Sequence, residues 1–175
     1  MSMKWQHTWV ALWAACAATV LVGAWLLLRR LDALRGQDDS LALELQLVVT
    51  MMTGLLVSPV SWTHHWVWSA PALLVLAVAS WRWRSWWLGS VTLLGAVVLG
   101  TGIQWSFPFQ NHVELSWPLW MKVVGAGYVW WALLAGAALW LVAGRHAQAR
   151  TALTRPGGRR APALSAPRAR RRSAR

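Results

Sequence analysis

The sequence has few charged residues and one cysteine, and each shortage excludes a class of protein. Only 13% of the 175 residues are charged and 57% are hydrophobic, whereas about a quarter of an ordinary soluble domain is charged. This balance excludes a water-soluble globular enzyme and favours a membrane protein. The single cysteine, Cys16, excludes a disulfide framework and a thiolate metal cage.

Acidic residues are also scarce, and the positive charge is concentrated at one end of the chain. The formal net charge is +12, but residues 145–175 carry ten arginines and no acid. Residues 1–144 hold seven basic and five acidic side chains, a net of +2. We therefore predict no nucleic-acid-binding core. Residues 145–175 are predicted to form a disordered cytoplasmic tail attracted to anionic membrane lipids.

Long uncharged runs predict an all-α, polytopic integral membrane protein with about five transmembrane helices. A helix that crosses the hydrocarbon core needs about 20 mostly apolar residues. The predicted spans lie within residues 1–144, at about 9–28, 41–57, 59–81, 86–103 and 119–143. A re-entrant segment is the alternative for the second of them. The third is expected to begin at Pro59, because Ser58 suits an N-cap and proline suits the first helical turn.

The arginines outside the tail lie in alternate connections between the predicted spans. One group follows the first span and another follows the third: Arg29, Arg30 and Arg35, then Arg82 and Arg84. The positive-inside rule places these connections and the tail in the cytoplasm, and residues 1–7, 58–65 and 104–118 outside. An outer amino terminus without a cleavable signal suggests the later part of a longer multi-pass protein of the cell membrane.

The stretch with the most chemical information is residues 53–68, at the predicted outer boundary. In an α-helix Ser61 and His65 share a face, as do Trp62 and Trp66, and His64 and Trp68. A hydroxyl and an imidazole at the positive end of a helix suit a phosphate, and the indoles provide apolar walls for a lipid. The alternative is that these polar groups only satisfy each other and water. No metal site is predicted, because adjacent histidines on a helix diverge by roughly 100°.

Within it, Gly54-Leu-Leu-Val-Ser-Pro-Val-Ser-Trp-Thr-His-His-Trp-Val-Trp68 resembles the characteristic motif of the polyprenyl-phosphate-mannose-dependent α-(1→2)-mannosyltransferases, glycosyltransferase family 87 of actinobacteria. The resemblance covers most of residues 9–145, as a carboxy-terminal portion of a family member. It implies a GT-C-like helix bundle. It also implies transfer of mannose, with inversion, from polyprenyl-phosphate-mannose to a lipid-linked mannoside outside the cytoplasm, with no cofactor.

The resemblance also implies roles for individual residues. Ser58, Ser61, His64 and His65 would form the donor-phosphate or sugar pocket, beside Trp62 and Trp66. His65 is the first candidate to stabilise charge on the departing phosphate, and His64 is the second. The family's general base, an Asp in the first outer loop, has no counterpart here. We therefore expect this chain alone to be inactive and the missing amino-terminal portion to be a partner.

The outer segment 104–118 is the second candidate for substrate contact. Trp105 and Trp117 suit stacking on sugar faces, whereas an aromatic belt with a solvated loop is the alternative. Polar side chains suited to sugar hydroxyls are Gln110, Asn111, His112 and Glu114. Glu114 is the only acidic residue predicted outside and so the only candidate for a substitute base.

Two other functions fit the composition. One is a non-catalytic membrane scaffold or remnant. The other is an electron-transfer subunit with non-covalent haem, for which the candidate ligands are His7, His64, His65 and His112. Under the leading hypothesis the partners are the donor, the mannoside acceptor and membrane lipids.

Overall fold

The computed structural model describes residues 3–36, 38–58, 63–108, 113 and 116–154. All regular structure in these residues is helical, which confirms the all-α class. The α-helices are α1 (Met3–Asp32), α2 (Asp39–Val57), α3 (Ser69–Arg82), α4 (Trp86–Thr101), α5 (Leu119–Gly125) and α6 (Gly127–Thr154). Two short 3-10 helices cover Thr63–Trp68 and Ile103–Ser106.

Three of the described helices are long and apolar enough to cross a membrane, namely His7–Asp32, Asp39–Val57 and Gly127–Ala149. They confirm the membrane class. The other two predicted spans are the shorter apolar helices Trp66–Arg82 and Trp86–Thr101. At about 1.5 Å per residue, the 16 residues of α4 reach about 24 Å, which is less than the hydrocarbon thickness of about 30 Å.

Side-chain caps fix the starts of two helices. The Asp38 carboxylate accepts a hydrogen bond from the Leu41 backbone N–H at 3.2 Å, at the beginning of α2. The Ser85 hydroxyl accepts one from the Leu88 N–H at 3.3 Å, at the beginning of α4. Each cap satisfies a backbone donor that has no partner within its helix.

The predicted helix start at Ser58-Pro59 stays a prediction, because residues 59–62 lie outside the described residues. Ser58 is the C-cap of α2, and its backbone N–H donates to the Gly54 carbonyl oxygen at 3.2 Å. The next described helix begins as a 3-10 turn at Thr63 and becomes α-helical only at Ser69. Threonine, histidine, tryptophan and valine are weak helix formers, and 3-10 turns are frequent at helix ends. Pro71 lies in the first turn of α3, where its missing N–H costs nothing.

The fifth predicted span is divided at Ala126, between α5 and α6. The flanking glycines allow close approach of side chains from elsewhere. A β-carbon on Gly125 would lie 3.2 Å from Cζ3 of Trp117, and one on Gly127 would lie 3.4 Å from Cγ1 of Val98. The break therefore accommodates the loop that precedes α5.

The amino-terminal part of the predicted tail is helical. The sequence predicts disorder from residue 145, but α6 continues through Arg145 to Thr154. His146 packs against Trp83, with ring centroids 5.2 Å apart, so contact with the bundle holds this turn of α6. Residues 155–175 lie outside the described residues.

The three basic connections meet at one end of the bundle, which we call the basic end (residues 29–35, 82–84 and 145–146). An ion pair between Asp38 and Arg82 joins the α1–α2 connection to the α3–α4 turn. The contact of Trp83 with His146 joins that turn to α6. The alternation of arginine-rich connections in the sequence thus corresponds to a shared location in the fold.

The core lies between α4 and α6 on one side and around α2 on the other. Trp131 is 2% exposed, and its indole N–H donates to the Val91 carbonyl oxygen at 3.0 Å. The ring lies directly over Gly95, whose missing side chain makes the space for it. Small residues that permit such close packing are typical of helix interfaces in membranes.

Candidate functional site

The motif segment, residues 63–68, lies at the end of the bundle opposite the basic end. It follows the C-terminus of α2, whose N-terminus at Asp39 is at the basic end. The 19 residues of α2 place its two ends about 27 Å apart at about 1.5 Å per residue. The motif and the basic connections are thus separated by close to the hydrocarbon thickness.

Two buried contacts hold the motif segment in place. The Trp66 side chain is 5% exposed, and its ring packs on Tyr128 of α6 with centroids 4.6 Å apart. Immediately after the segment, the fully buried Ser69 hydroxyl donates to the sulfur of Met52 on α2 at 3.9 Å. The segment is therefore anchored to both α2 and α6.

The segment before α5, residues 104–118, which we call the aromatic loop, is anchored beside the α5–α6 junction. The indole N–H of Trp117 donates to the Pro108 carbonyl oxygen at 2.9 Å, and its ring lies 5.5 Å from that of Phe107. Both rings contact the space above Gly125. Gly125 precedes Tyr128 by three residues, so the motif segment and the aromatic loop are anchored at neighbouring positions of the α5–α6 junction.

Several indoles at this end remain exposed. The exposed fraction is 60% for Trp68, 55% for Trp105 and 58% for Trp120. Exposed indoles at one end of a helix bundle suit the headgroup region of a membrane and also suit stacking on sugars. Trp117, the other predicted sugar-stacking residue, is half-buried and engaged with the loop itself.

The structure describes some of the predicted site residues and not others. The backbones of His64 and His65 belong to the 3-10 helix, and Ser58 is half-buried at the C-cap of α2. Trp66 is covered by protein, so its ring anchors the segment instead of forming an open wall. Outside the described residues lie Ser61, Trp62, Gln110, Asn111, His112 and Glu114.

One face argument from the sequence is wrong. A 3-10 helix repeats every three residues, so positions four apart within it do not share a face. His64 and Trp68 both belong to the 3-10 helix, and their predicted alignment does not hold. The sequence signal for this was weak helix propensity across the segment and a proline at position 71.

The Asp32 and Asp38 carboxylates serve structure at or near the basic end. The pKa of Asp38 is lowered from 3.8, first by the hydrogen bond from the Leu41 N–H, then by Arg82 and by the Ser40 hydroxyl. Asp32 pairs with Arg35 at 3.0 Å. Both carboxylates are separated from the motif segment by the length of α2, so neither is within reach to act as a general base there.

A third acidic group at this end closes a turn. The Asp39 carboxylate accepts a hydrogen bond from the Gly36 backbone N–H at 2.6 Å. Gly36 has a φ of 88°, a left-handed conformation that glycine adopts without strain. The contact fixes the turn between α1 and α2 and leaves this carboxylate engaged with the backbone.

Comparison with known proteins identifies relatives of one kind. The chain is 40% identical over 123 residues to the polyprenol-phosphate-mannose-dependent alpha-(1-2)-phosphatidylinositol mannoside mannosyltransferase of Mycolicibacterium smegmatis, covering 69% of this chain and 27% of that protein. It is 38% identical over 126 residues to the protein of that name from Mycobacterium tuberculosis, covering 70% and 27%. A phosphatidylinositol pentamannoside mannosyltransferase of Mycobacterium tuberculosis is 32% identical over 128 residues, covering 66% and 25%.

No protein-family model and no solved structure matches the chain. The matched region spans about a quarter of the length of the curated relatives. The relatives confirm the family that the Ser-Pro-x-Ser-Trp-x-His-His motif predicts. By sequence, the chain belongs to the family of polyprenol-phosphate-mannose-dependent alpha-(1-2)-mannosyltransferases, and it matches about a quarter of the length of these relatives.

Proposed function

We propose that this chain forms the carboxy-terminal portion of a membrane mannosyltransferase. The enzyme takes mannose from polyprenyl-phosphate-mannose and transfers it to a lipid-linked or cell-envelope glycan acceptor outside the cytoplasm. The relatives' names state this donor and phosphatidylinositol mannoside acceptors. The observation that carries the proposal is that the motif segment packs on Tyr128 and the aromatic loop packs over Gly125, three residues apart at the α5–α6 junction.

The separation of the two ends supports one orientation of the chain in the membrane. The basic end collects the arginines of three connections, so it lies in the cytoplasm under the positive-inside rule. The motif segment, about 27 Å away along α2, then lies on the extracytoplasmic side. In this proposal the arginine-rich tail is cytoplasmic.

In this proposal the motif binds the donor phosphate. His65 and His64 donate hydrogen bonds to the phosphate oxygens and stabilise the negative charge that develops as the mannosyl bond breaks. The hydroxyls of Ser58 and Ser61 complete the phosphate site. Trp66 acts as a positioning residue, because its packing on Tyr128 fixes the 3-10 helix that carries both histidines.

The acceptor binds beside the donor, on the side of the aromatic loop. Trp62 forms an apolar wall, Trp105 stacks on a sugar face, and Asn111 and Glu114 hydrogen-bond sugar hydroxyls. Transfer also needs a general base within hydrogen-bond reach of the acceptor hydroxyl. Since Asp32 and Asp38 are engaged at the basic end, the rest of the full-length protein supplies that base.

A chimera tests the proposal. The matching region of the Mycolicibacterium smegmatis relative is replaced by residues 3–154 of this chain, and mannose transfer from polyprenyl-phosphate-mannose is measured in membranes. We expect the chimera to be active. In it, His64→Ala with His65→Ala should lower the transfer rate by about 100-fold or more, as removal of a charge-stabilising donor does.

The matched control is His146→Ala, which removes an imidazole at the basic end. It should leave the transfer rate close to that of the parent chimera. Near-normal transfer by the double variant would discard the role of the motif histidines. Equal loss in the control and the double variant would show that the effect is not local to the motif.

A further inference from the structure

An apolar groove runs between α1, α2 and α6, with a volume of about 380 Å³. Side chains from all three helices line it, including Gly23, Leu27, Val49, Met52, Gly136 and Leu139. Two threonines on its wall direct their hydroxyls to their own helices. Thr19 donates to the Ala15 carbonyl oxygen at 2.9 Å, and Thr53 donates to that of Val49 at 2.6 Å. The groove therefore presents a surface suited to a hydrocarbon chain.

The groove ends beside a cation. On α6 its lining extends from Trp131 to Trp140, a distance of about 14 Å at about 1.5 Å per residue. At the basic end the Arg30 guanidinium lies 3.5 Å over the Trp140 ring and donates to the Trp140 carbonyl oxygen at 3.0 Å. It also closes over Gly144, where a β-carbon would lie 3.2 Å from Cζ of Arg30.

Further positive charge surrounds this end of the groove. Arg29 is exposed and lies 5.6 Å from the Trp25 ring centroid, and Arg145 is exposed next to the glycine that Arg30 covers. Within the described residues, the two ion pairs use Arg35 and Arg82 instead. Arg30 contacts the indole ring and the carbonyl oxygen of Trp140, both of which are uncharged. The mouth of the groove thus carries uncompensated positive charge in the part of the chain described.

We propose that this groove binds an anionic glycerophospholipid from the leaflet at the basic end. One acyl chain occupies the groove, and Arg29, Arg30 and Arg145 hold the phosphate. Guanidinium groups suit this because they present several N–H donors in a planar fork that matches phosphate oxygens. Basic pockets between membrane helices are known to bind anionic headgroups. The site lies at the opposite end of the bundle from the proposed donor site and is independent of it.

Binding of phosphatidylglycerol and phosphatidylcholine to the purified full chain in detergent, measured by native mass spectrometry, tests the headgroup. We expect a clear preference for phosphatidylglycerol. Arg29→Gln should weaken its binding about fivefold, and Arg29→Gln with Arg145→Gln about 30-fold. The matched control Arg35→Gln removes the same charge from an arginine already paired with Asp32 and should leave binding unchanged.

A second pair of variants tests the acyl chain. A β-carbon on Gly136 or on Gly100 meets no atom within 4 Å, so both sites accept a larger side chain. Of these two glycines, Gly136 lines the groove and Gly100 does not. Gly136→Leu should therefore cause loss of bound phosphatidylglycerol, whereas Gly100→Leu should retain it.

Four outcomes would overturn the proposal. Equal binding of phosphatidylglycerol and phosphatidylcholine, or equal effects of Arg29→Gln and Arg35→Gln, would remove the headgroup site. Unchanged binding in Gly136→Leu would remove the acyl chain from the groove. Displacement of phosphatidylglycerol by added polyprenyl phosphate would assign the groove to the donor's prenyl chain instead. None of these outcomes depends on mannose transfer, so the proposed function is tested separately.

Discussion

Replacing Gly95 by alanine tests the packing of α4 against α6. A β-carbon at this position would overlap the Trp131 indole, with Nε1, Cε2 and Cζ2 as its nearest atoms. The ring cannot move away easily, because its side chain is 2% exposed and its N–H donates to the Val91 carbonyl oxygen at 3.0 Å. The substitution must therefore separate the helices or break that hydrogen bond.

The magnitude follows from three contributions to the free energy of unfolding. Overpacking a close interface costs about 1–3 kcal/mol, and loss of the hydrogen bond from Trp131 costs about 1 kcal/mol more. The change from glycine to alanine within a helix contributes up to about 1 kcal/mol in the opposite direction. We expect Gly95→Ala to be destabilised by a net amount of about 1–3 kcal/mol.

Gly100 supplies a matched control in the same helix. A β-carbon there meets no atom within 4 Å, so Gly100→Ala should be as stable as the parent or up to about 1 kcal/mol more stable. Denaturant unfolding of the three proteins in one detergent, followed by tryptophan fluorescence, measures the difference. If Gly95→Ala and Gly100→Ala unfold at the same midpoint, the described packing of Trp131 on α4 is wrong.

Three further changes have defined outcomes. Trp66→Ala should lower the free energy of unfolding by about 3 kcal/mol in the same denaturant titration. Trp68→Ala, which replaces a side chain that is 60% exposed, should change it by less than about 0.5 kcal/mol. Equal effects of the two variants would contradict the anchoring role of Trp66. Arg30→Ala should destabilise the protein by about 1–3 kcal/mol in that titration, because it removes the contacts with the Trp140 ring and carbonyl oxygen. An unchanged unfolding midpoint would show that these contacts do not stabilise the fold. The pKa of Asp38 is lowered from 3.8. The ionised Asp38 carboxylate therefore stabilises the fold above about pH 4, and this stabilisation is lost as the pH falls through the folded-state pKa. The melting temperature of Asp38→Asn should fall less in acid than that of the parent.

Hydropathy and charge predict the features of this fold that depend on local sequence. The bounds of α2 and α4 lie within two residues of the predicted spans, because apolar runs mark them. The basic end follows from the alternation of arginines between the spans. The histidine motif identifies the family without any structural information.

The features that depend on packing between distant segments could not be predicted. Trp66 was expected beside the substrate, but its ring packs on Tyr128, 62 positions later in the chain. The break at Ala126 reflects contacts of its neighbouring glycines with Trp117 and Val98. Hydropathy depends only on the composition of the segment and not on such contacts, so it predicts one uninterrupted span over residues 119–143.

Local signals were also present that hydropathy does not weigh. Weak helix propensity over residues 63–68 and a proline at position 71 mark the change from 3-10 to α-helix. The helical turn at residues 145–154 has no comparable signal. It lies in arginine-rich sequence, and the described contact that supports it is that of His146 with Trp83.

Cysteine labelling in intact cells tests the central claim, that the motif segment lies on the extracytoplasmic side. In a Cys16→Ser background, His64→Cys places one thiol in the motif, and Arg84→Cys places one in the exposed turn at the basic end. A membrane-impermeant maleimide should label position 64 in intact cells and position 84 only after permeabilisation. Labelling of position 84 in intact cells, with position 64 protected until permeabilisation, would contradict the claim and the proposed transfer with it.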